Sequence, residues 1–164
     1  RFADLTGANL DGTDLRNADL TGAKLNYNSL KKAYWFNAKG IQLTKLSLEE
    51  LHNAGSYAIK RHNYPIAEKM FKIAVEKDKN NTASNLALAY TKLQLGKQKE
   101  AVYLLESIRD NQIISNHLIT SEQIEMLIKE INTQQVIDKR NGNGLGIKII
   151  DILFNYTKPL STFF

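Results

Sequence analysis

Residues 1–40 of this chain repeat with a period of five. Five consecutive pentads each carry a leucine at the third position, and four of them begin with alanine. Because a helix repeats every 3.6 residues and a strand every two, neither accounts for this spacing. A chain that turns a corner after each pentad does account for it. Four pentads then complete a square coil, so residues 20 apart lie above one another, with coils spaced by about 4.8 Å.

In that coil the alanines and leucines point inward, and Asp, Asn, Thr and Gly take the corners and the outer surface. The run from Ala3-Asp4-Leu5-Thr6-Gly7 to Ala23-Lys24-Leu25-Asn26-Tyr27 resembles the pentapeptide-repeat family. This resemblance implies a right-handed quadrilateral β-helix over residues 1–42. The leucines predicted to point inward are Leu5, Leu10, Leu15, Leu20, Leu25 and Leu30.

The pentad pattern degrades towards its end, at Asn28 and Trp35, and stops at Gly40. The last coil of a solenoid must cover an open edge, so its residues are atypical. We therefore predict that Tyr34 and Trp35 form a C-terminal cap, with an aromatic platform for a ligand as the alternative. Because the chain opens at Arg1-Phe2 in the middle of a pentad, we expect it to be a fragment of a longer solenoid.

From Ser47 the period becomes helical, starting with the capping box Ser47-Leu48-Glu49-Glu50. Apolar and small residues then follow at the spacing of one helical face, and Pro65 is placed for the first turn of a second helix. This helical hairpin resembles a tetratricopeptide repeat, and a second unit follows after the 34-residue period of that family. A further helix begins at Thr120, and its apolar stripe is Ile124, Leu127, Ile128 and Ile131. The predicted fold class is α+β: the end of a β-solenoid, then an antiparallel helical array over residues 47–135.

Residues 136–164 form the third predicted segment. Its glycines are spaced G-x-G-x-G after a helix, which does not fit the dinucleotide-binding fingerprint and favours a flexible linker. The apolar stretch Ile147–Tyr156 is too short to span a bilayer. It has some resemblance to the helix that precedes membrane spans in certain pentapeptide-repeat proteins. A terminal helix or strand packed on the array is the other interpretation.

The sequence offers no convergent catalytic group. Without cysteine there is no disulfide, thiolate metal site or cysteine nucleophile. The three histidines, His52, His62 and His117, lack partners at metal-ligand spacing and are interpreted as helix-surface or turn residues. The recurring aspartates at Asp4, Asp14 and Asp19 are interpreted as outward polar positions. We therefore expect no enzymatic activity, no cofactor and no metal.

The net charge of +5 is distributed along the chain rather than concentrated on one segment, which argues against a nucleic-acid partner. We predict a non-enzymatic interaction scaffold, from a bacterial cytoplasm, that binds another protein through the helical groove and the solenoid surface. The first helix of each tetratricopeptide pair lines such a groove. By register, the candidate partner-binding residues are Asn53, Tyr57, Lys60, Asn85 and Lys92.

Three alternatives remain open at this point. The chain is the soluble part of a membrane-tethered sensor or effector, with membrane association supplied by sequence beyond its C-terminus. It is a duplex-DNA mimic that occupies a type II topoisomerase, although such mimics are strongly acidic and this segment is not. In the third, a catalytic domain lies outside the fragment.

Overall fold

The computed structural model describes residues 3–30, 33–110 and 119–141. Two short strands, β1 (Asp4–Leu5) and β2 (Lys24–Leu25), lie in the pentads. Two 3₁₀ turns follow, at Tyr27–Leu30 and Leu43–Lys45. Five helices come after them, each packed against its neighbour in sequence: α1 (Leu48–Lys60), α2 (Tyr64–Lys77), α3 (Thr82–Gln94), α4 (Gln98–Asp110) and α5 (Ser121–Asn141).

The pentads pair in parallel at the predicted offset of 20 residues. In the sheet, Asp4 lies opposite Lys24, and Leu5 lies opposite Leu25. Two isolated bridges, Asp14–Tyr34 and Asp19–Lys39, repeat the same offset on other sides of the chain path. At the first of these bridges the Leu15 amide donates to the Tyr34 carbonyl at 2.8 Å. The backbone thus rises by one strand spacing for every four pentads.

The pentad corners have a recurrent local chemistry. Left-handed backbone occurs at the fifth pentad position, as glycine at Gly12 and Gly22 and as asparagine at Asn17 and Asn37. Asparagine is one of the few residues with a side chain that adopts this conformation routinely. The preceding Asp or Asn accepts a hydrogen bond from the amide two residues on, at 3.0–3.1 Å, in Asp4, Asn9, Asp14 and Asp19. These positions are exposed, as predicted, but they also close each corner, which the sequence analysis did not anticipate.

The leucines are the shielded members of their pentads. Leu10, Leu20 and Leu30 are buried, whereas Leu5, Leu15 and Leu25 are half-buried between exposed neighbours. Trp35 occupies the equivalent position one coil above Leu15 and is also buried. The inward direction predicted for the leucines agrees with this burial.

The helices begin where the sequence predicts. The Ser47 hydroxyl accepts from the Glu50 amide, and the Glu50 carboxylate accepts from the Ser47 amide, which completes the capping box of α1. Pro65 lies in the first turn of α2. Helices α3 and α4 start 34 residues after α1 and α2 respectively. Short connections between packed neighbours make each pair antiparallel.

Gly55 allows α1 and α2 to approach closely. A methyl group at this position would lie 2.5 Å from Cζ of Phe71, which is itself buried. The small-to-large packing predicted for this crossing is therefore present.

Helix α5 has the predicted capping box and apolar stripe. The Thr120 amide donates to Gln123 Oε1 at 2.8 Å, and the Gln123 amide donates to Thr120 Oγ1 at 3.2 Å. All four stripe residues, from Ile124 to Ile131, are buried. The helix runs to Asn141, so the predicted boundary at 135 falls inside it. The predicted glycine linker and apolar tail, from residue 142 onward, lie outside the described residues.

The pentads and the helices share one hydrophobic cluster. Leu30 and Trp35 of the pentads pack with Leu46, with Leu51 of α1 and with Met70 of α2. A second cluster runs through α1 to α5. Among the described helices, none combines the length and apolar character that a membrane span requires.

We expect Ala67→Leu to destabilise the helical array. Ala67 is fully buried in the helical cluster, and overpacking such a site costs about 1–3 kcal/mol. Ala83→Leu is the matched control, since Ala83 lies half-buried in the first turn of α3. Thermal melts followed by far-UV circular dichroism compare the two variants. A melting temperature lowered equally in both would contradict the assigned packing.

Candidate functional site

A cleft of about 370 Å³ opens where the last described pentads meet helix α1. We call it the aromatic cleft. Residues 33–36 form one wall, and one face of α1 forms the other. Its lining consists of Ala33, Tyr34, Trp35, Phe36, Glu50, Asn53, Ala54 and Tyr57. The four helical residues are spaced i, i+3, i+4 and i+7, which places them on a single face.

The start of α1 fixes the position of Glu50 in this wall. Glu50 Oε2 accepts from the Ser47 amide at 2.6 Å and from the Ser47 hydroxyl at 2.8 Å. The other carboxylate oxygen, Oε1, is buried and has no hydrogen-bond partner in the described part of the chain. Glu50 as a whole is 2% exposed. A negatively charged group is thus held at the cleft with half of its acceptor capacity unused.

Tyr57 joins the pentads to the helix. Its ring centre lies 5.2 Å from that of Phe36, and its hydroxyl accepts from Arg16 Nη1 at 3.2 Å. The guanidinium carbon of Arg61 lies 4.7 Å from the same ring centre. Cations over aromatic faces are attracted by the ring quadrupole. The Tyr57 ring therefore already holds one guanidinium on its face and another at its hydroxyl.

Arg16 is oriented by its own pentad. Its Nε donates to Asp14 Oδ1 at 2.8 Å, and a second guanidinium nitrogen forms an ion pair with Asp14 Oδ2. These hydrogen bonds from Arg16 lower the pKa of the Asp14 carboxyl to about 2. The pair is exposed to solvent, so we assign it an orienting role and not a stabilising one.

Residues 1–34 match the family model for pentapeptide repeats, in eight copies. Pentapeptide repeats therefore form the start of this chain. The match confirms the resemblance drawn from the pentads, and it does not extend to the helices. No curated protein and no solved structure matches the chain.

The structure brings two of the five predicted partner-binding residues together in the aromatic cleft. Asn53 is exposed and Tyr57 is half-buried, and both line the helical wall opposite the pentapeptide repeats. Lys60 is exposed three residues after Tyr57, near the end of α1. These three residues define one accessible surface.

The other two predicted residues have structural contacts. Asn85 is 5% exposed, and its amide donates at 2.9 Å to the carbonyls of both Lys79 and Asn81, which fixes the turn before α3. Lys92 donates to Glu68 Oε1 at 2.9 Å and also pairs with Glu100, linking α2, α3 and α4. The register of α3 places both side chains against neighbouring elements, and helical periodicity alone does not reveal this.

The interpretation of His52 as a surface residue is wrong. His52 is 7% exposed, and its Nε2 lies 2.7 Å from Ser84 Oγ, while the Phe71 ring packs edge-on against it. Burial lowers the pKa of His52, which favours the neutral imidazole. His62, in contrast, is an exposed turn residue with φ of 55°, as predicted. His117 lies outside the described residues.

The sequence analysis missed Phe36 and Glu50 as lining residues of the aromatic cleft. It interpreted Glu50 only as a helix-capping group. Tyr34 and Trp35 were predicted as a cap, and the signal for the cleft was the aromatic run Tyr34-Trp35-Phe36 placed just before a helix. Within the described ranges, no group of three or more His, Asp or Glu side chains is arranged to hold a metal ion.

Proposed function

We propose that the chain is a non-enzymatic interaction module that binds a partner protein at the junction between the pentapeptide repeats and the helices. In this proposal the repeats are the end of a right-handed quadrilateral β-helix. Parallel pairs at a constant offset of 20 residues support it. The helices continue as a tetratricopeptide-like array, which the 34-residue offset between the two helix pairs supports.

The observation that carries the proposal is the aromatic cleft. Tyr34 remains 52% exposed beside it, although aromatic side chains are normally shielded from water. Tyrosine and tryptophan are enriched among the residues that dominate binding energy at protein interfaces. A cleft of this size with three accessible neighbours, Asn53, Tyr57 and Lys60, accepts side chains of a partner segment that lies across the junction.

A rigid support favours such a binding site. The hydrophobic cluster that contains Leu30, Trp35 and Leu51 lies directly beneath the junction and connects its two walls. Preorganised surfaces lose less conformational entropy on binding, and so a larger part of the contact energy appears as affinity. The proposed interface therefore rests on the shared core of the two repeat systems.

Site-specific crosslinking tests this function. The photoreactive tyrosine analogue p-benzoylphenylalanine is placed at Tyr34 or, as a matched control, at Tyr103, which is 70% exposed on α4. We expect a discrete crosslinked protein from position 34 and none from position 103. With that partner purified, Tyr34→Ala is expected to raise its Kd by at least about tenfold, whereas Tyr103→Ala leaves it unchanged.

Two results would overturn the proposal. The first is crosslinking of the same species from both positions, which indicates contact without a defined interface. The second is a purified partner whose Kd is the same for the wild type and Tyr34→Ala.

A further inference from the structure

The starting point is the unused oxygen of Glu50. Oε2 is saturated by the amide and hydroxyl of Ser47, but Oε1 is buried with no donor in the described residues. A buried charged oxygen without a partner is unfavourable, and in proteins such groups are ordinarily paired or bound to a cation. Because Glu50 lines the aromatic cleft, a donor that fills the cleft is placed to meet this oxygen.

The rest of the lining also favours positive charge. Four of the eight lining residues are aromatic, and their ring faces carry partial negative charge. Tyr57 already demonstrates this preference with the guanidinium of Arg61 over its ring. Tyr34 and Trp35 provide two further rings on the opposite wall, where the cation–π items of the described chain place no internal guanidinium or ammonium.

We infer that the aromatic cleft binds a primary ammonium group, supplied by a lysine side chain of the partner protein. This inference rests on the proposed function for the source of the lysine. The ammonium nitrogen donates to Glu50 Oε1, and the aliphatic stem of the lysine packs along Trp35 and Ala54. Long basic side chains commonly bury their stems against apolar surface in this way.

The geometry selects ammonium over the other organic cations. A guanidinium binds carboxylates best through two parallel hydrogen bonds, and this requires both oxygens. At Glu50 one oxygen is already engaged by Ser47. A quaternary ammonium has no N–H to offer Oε1. A primary ammonium has three donors and needs only one acceptor here.

The cations already present do not cancel this preference. The charge of Arg16 is paired with Asp14. Arg61 is exposed, so solvent screens its charge. The unpaired acceptor at Glu50 is the group that the incoming ammonium meets.

Trp35 provides a direct readout because it is the only tryptophan of the chain. The probe is the peptide acetyl-Ala-Ala-Lys-Ala-Ala-amide, titrated at constant ionic strength while tryptophan emission is recorded. Three comparison peptides carry Nε-acetyl-lysine, Nε-trimethyl-lysine or arginine at the central position. We expect a saturable change with the lysine peptide, and a Kd at least about tenfold higher for each of the other three.

Glu50→Gln tests the acceptor. Glutamine still completes a capping box, so α1 is retained while the charge is lost. Glu49→Gln is the matched control, because it removes the same charge from the same helical turn at an exposed position. We expect lysine-peptide affinity to fall at least about tenfold in Glu50→Gln and to stay unchanged in Glu49→Gln. Asn53→Lys, which introduces an internal ammonium at the cleft wall, is expected to abolish binding even if Glu50→Gln fails to fold.

The outcomes separate the two proposals. Equal binding of the acetyl-lysine, trimethyl-lysine or arginine peptide, or unchanged lysine-peptide affinity in both Glu50→Gln and Asn53→Lys, overturns the ammonium inference. If the partner crosslinked at Tyr34 still binds with unchanged Kd to Glu50→Gln, the interaction module stands and the ammonium inference fails. If the lysine peptide binds as expected and no protein crosslinks at Tyr34, the interaction module fails instead.

Discussion

Leu30→Ala is expected to lower the free energy of unfolding by about 2–5 kcal/mol, the usual range for a leucine deleted from a packed core. Leu30 is fully buried in the cluster that joins the pentapeptide repeats to α1 and α2. The substitution leaves a cavity between Trp35, Leu46 and Leu51. Denaturant unfolding followed by far-UV circular dichroism measures the loss. Because the cavity lies in the shared cluster, we expect the helical signal to shift with it in one transition.

The control is the same substitution at Leu25. This leucine has the equivalent pentad position but is half-buried, so its truncation removes less buried surface. We expect a smaller loss of stability for Leu25→Ala. An unchanged helical midpoint in Leu30→Ala, with a separate early transition of the repeats, would show that the two parts unfold independently.

Gly40→Ala is expected to cost a total of about 2–5 kcal/mol, from two sources. Gly40 has φ of 83°, and a residue with a side chain pays about 1–2 kcal/mol in this left-handed region. Its added methyl group would also lie 2.5 Å from the Leu20 carbonyl carbon and 2.6 Å from the Thr21 amide nitrogen. Those atoms are backbone, so no side-chain rotation relieves the contact, and overpacking adds typically about 1–3 kcal/mol.

Two further glycines separate these contributions. Gly12 has φ of 70° and open space around it, so Gly12→Ala reports the backbone conformation alone. Gly7 has open space without left-handed backbone, so Gly7→Ala is expected to stay within about 0.5 kcal/mol of the wild type. The expected order of destabilisation in denaturant melts is Gly40→Ala, then Gly12→Ala, then Gly7→Ala. Equal effects at Gly40 and Gly12 would show that the close approach to Leu20 is unimportant.

These two sites explain why the junction can serve as a binding surface. Gly40 lies directly above Leu20 and ends the stack, after which the chain turns towards α1. Leu30 anchors the same region from inside. Together they fix the wall that carries Tyr34, Trp35 and Phe36 at a set distance from the face of α1.

Local regularities were read correctly from the sequence. The five-residue period predicted the 20-residue pairing, because a repeat of backbone turns fixes which residues stack. The capping boxes at Ser47 and Thr120 predicted the starts of α1 and α5, because the hydrogen bonds join residues only three apart. The leucine and isoleucine stripes predicted buried faces for the same reason: each depends on a short, repeated spacing.

Tertiary packing decided what periodicity leaves open. Asn85 and Lys92 lie on a plausible groove register, yet α3 is enclosed by its neighbours and both side chains are used internally. His52 has an ordinary position in an amphipathic helix, and only the approach of α3 buries it against Ser84. The aromatic cleft depends on the separation between residues 33–36 and α1, a distance between segments that no local spacing encodes. The sequence by itself therefore determined the repeats, caps and inward faces, whereas contacts between segments distant in the chain selected the surface available for binding.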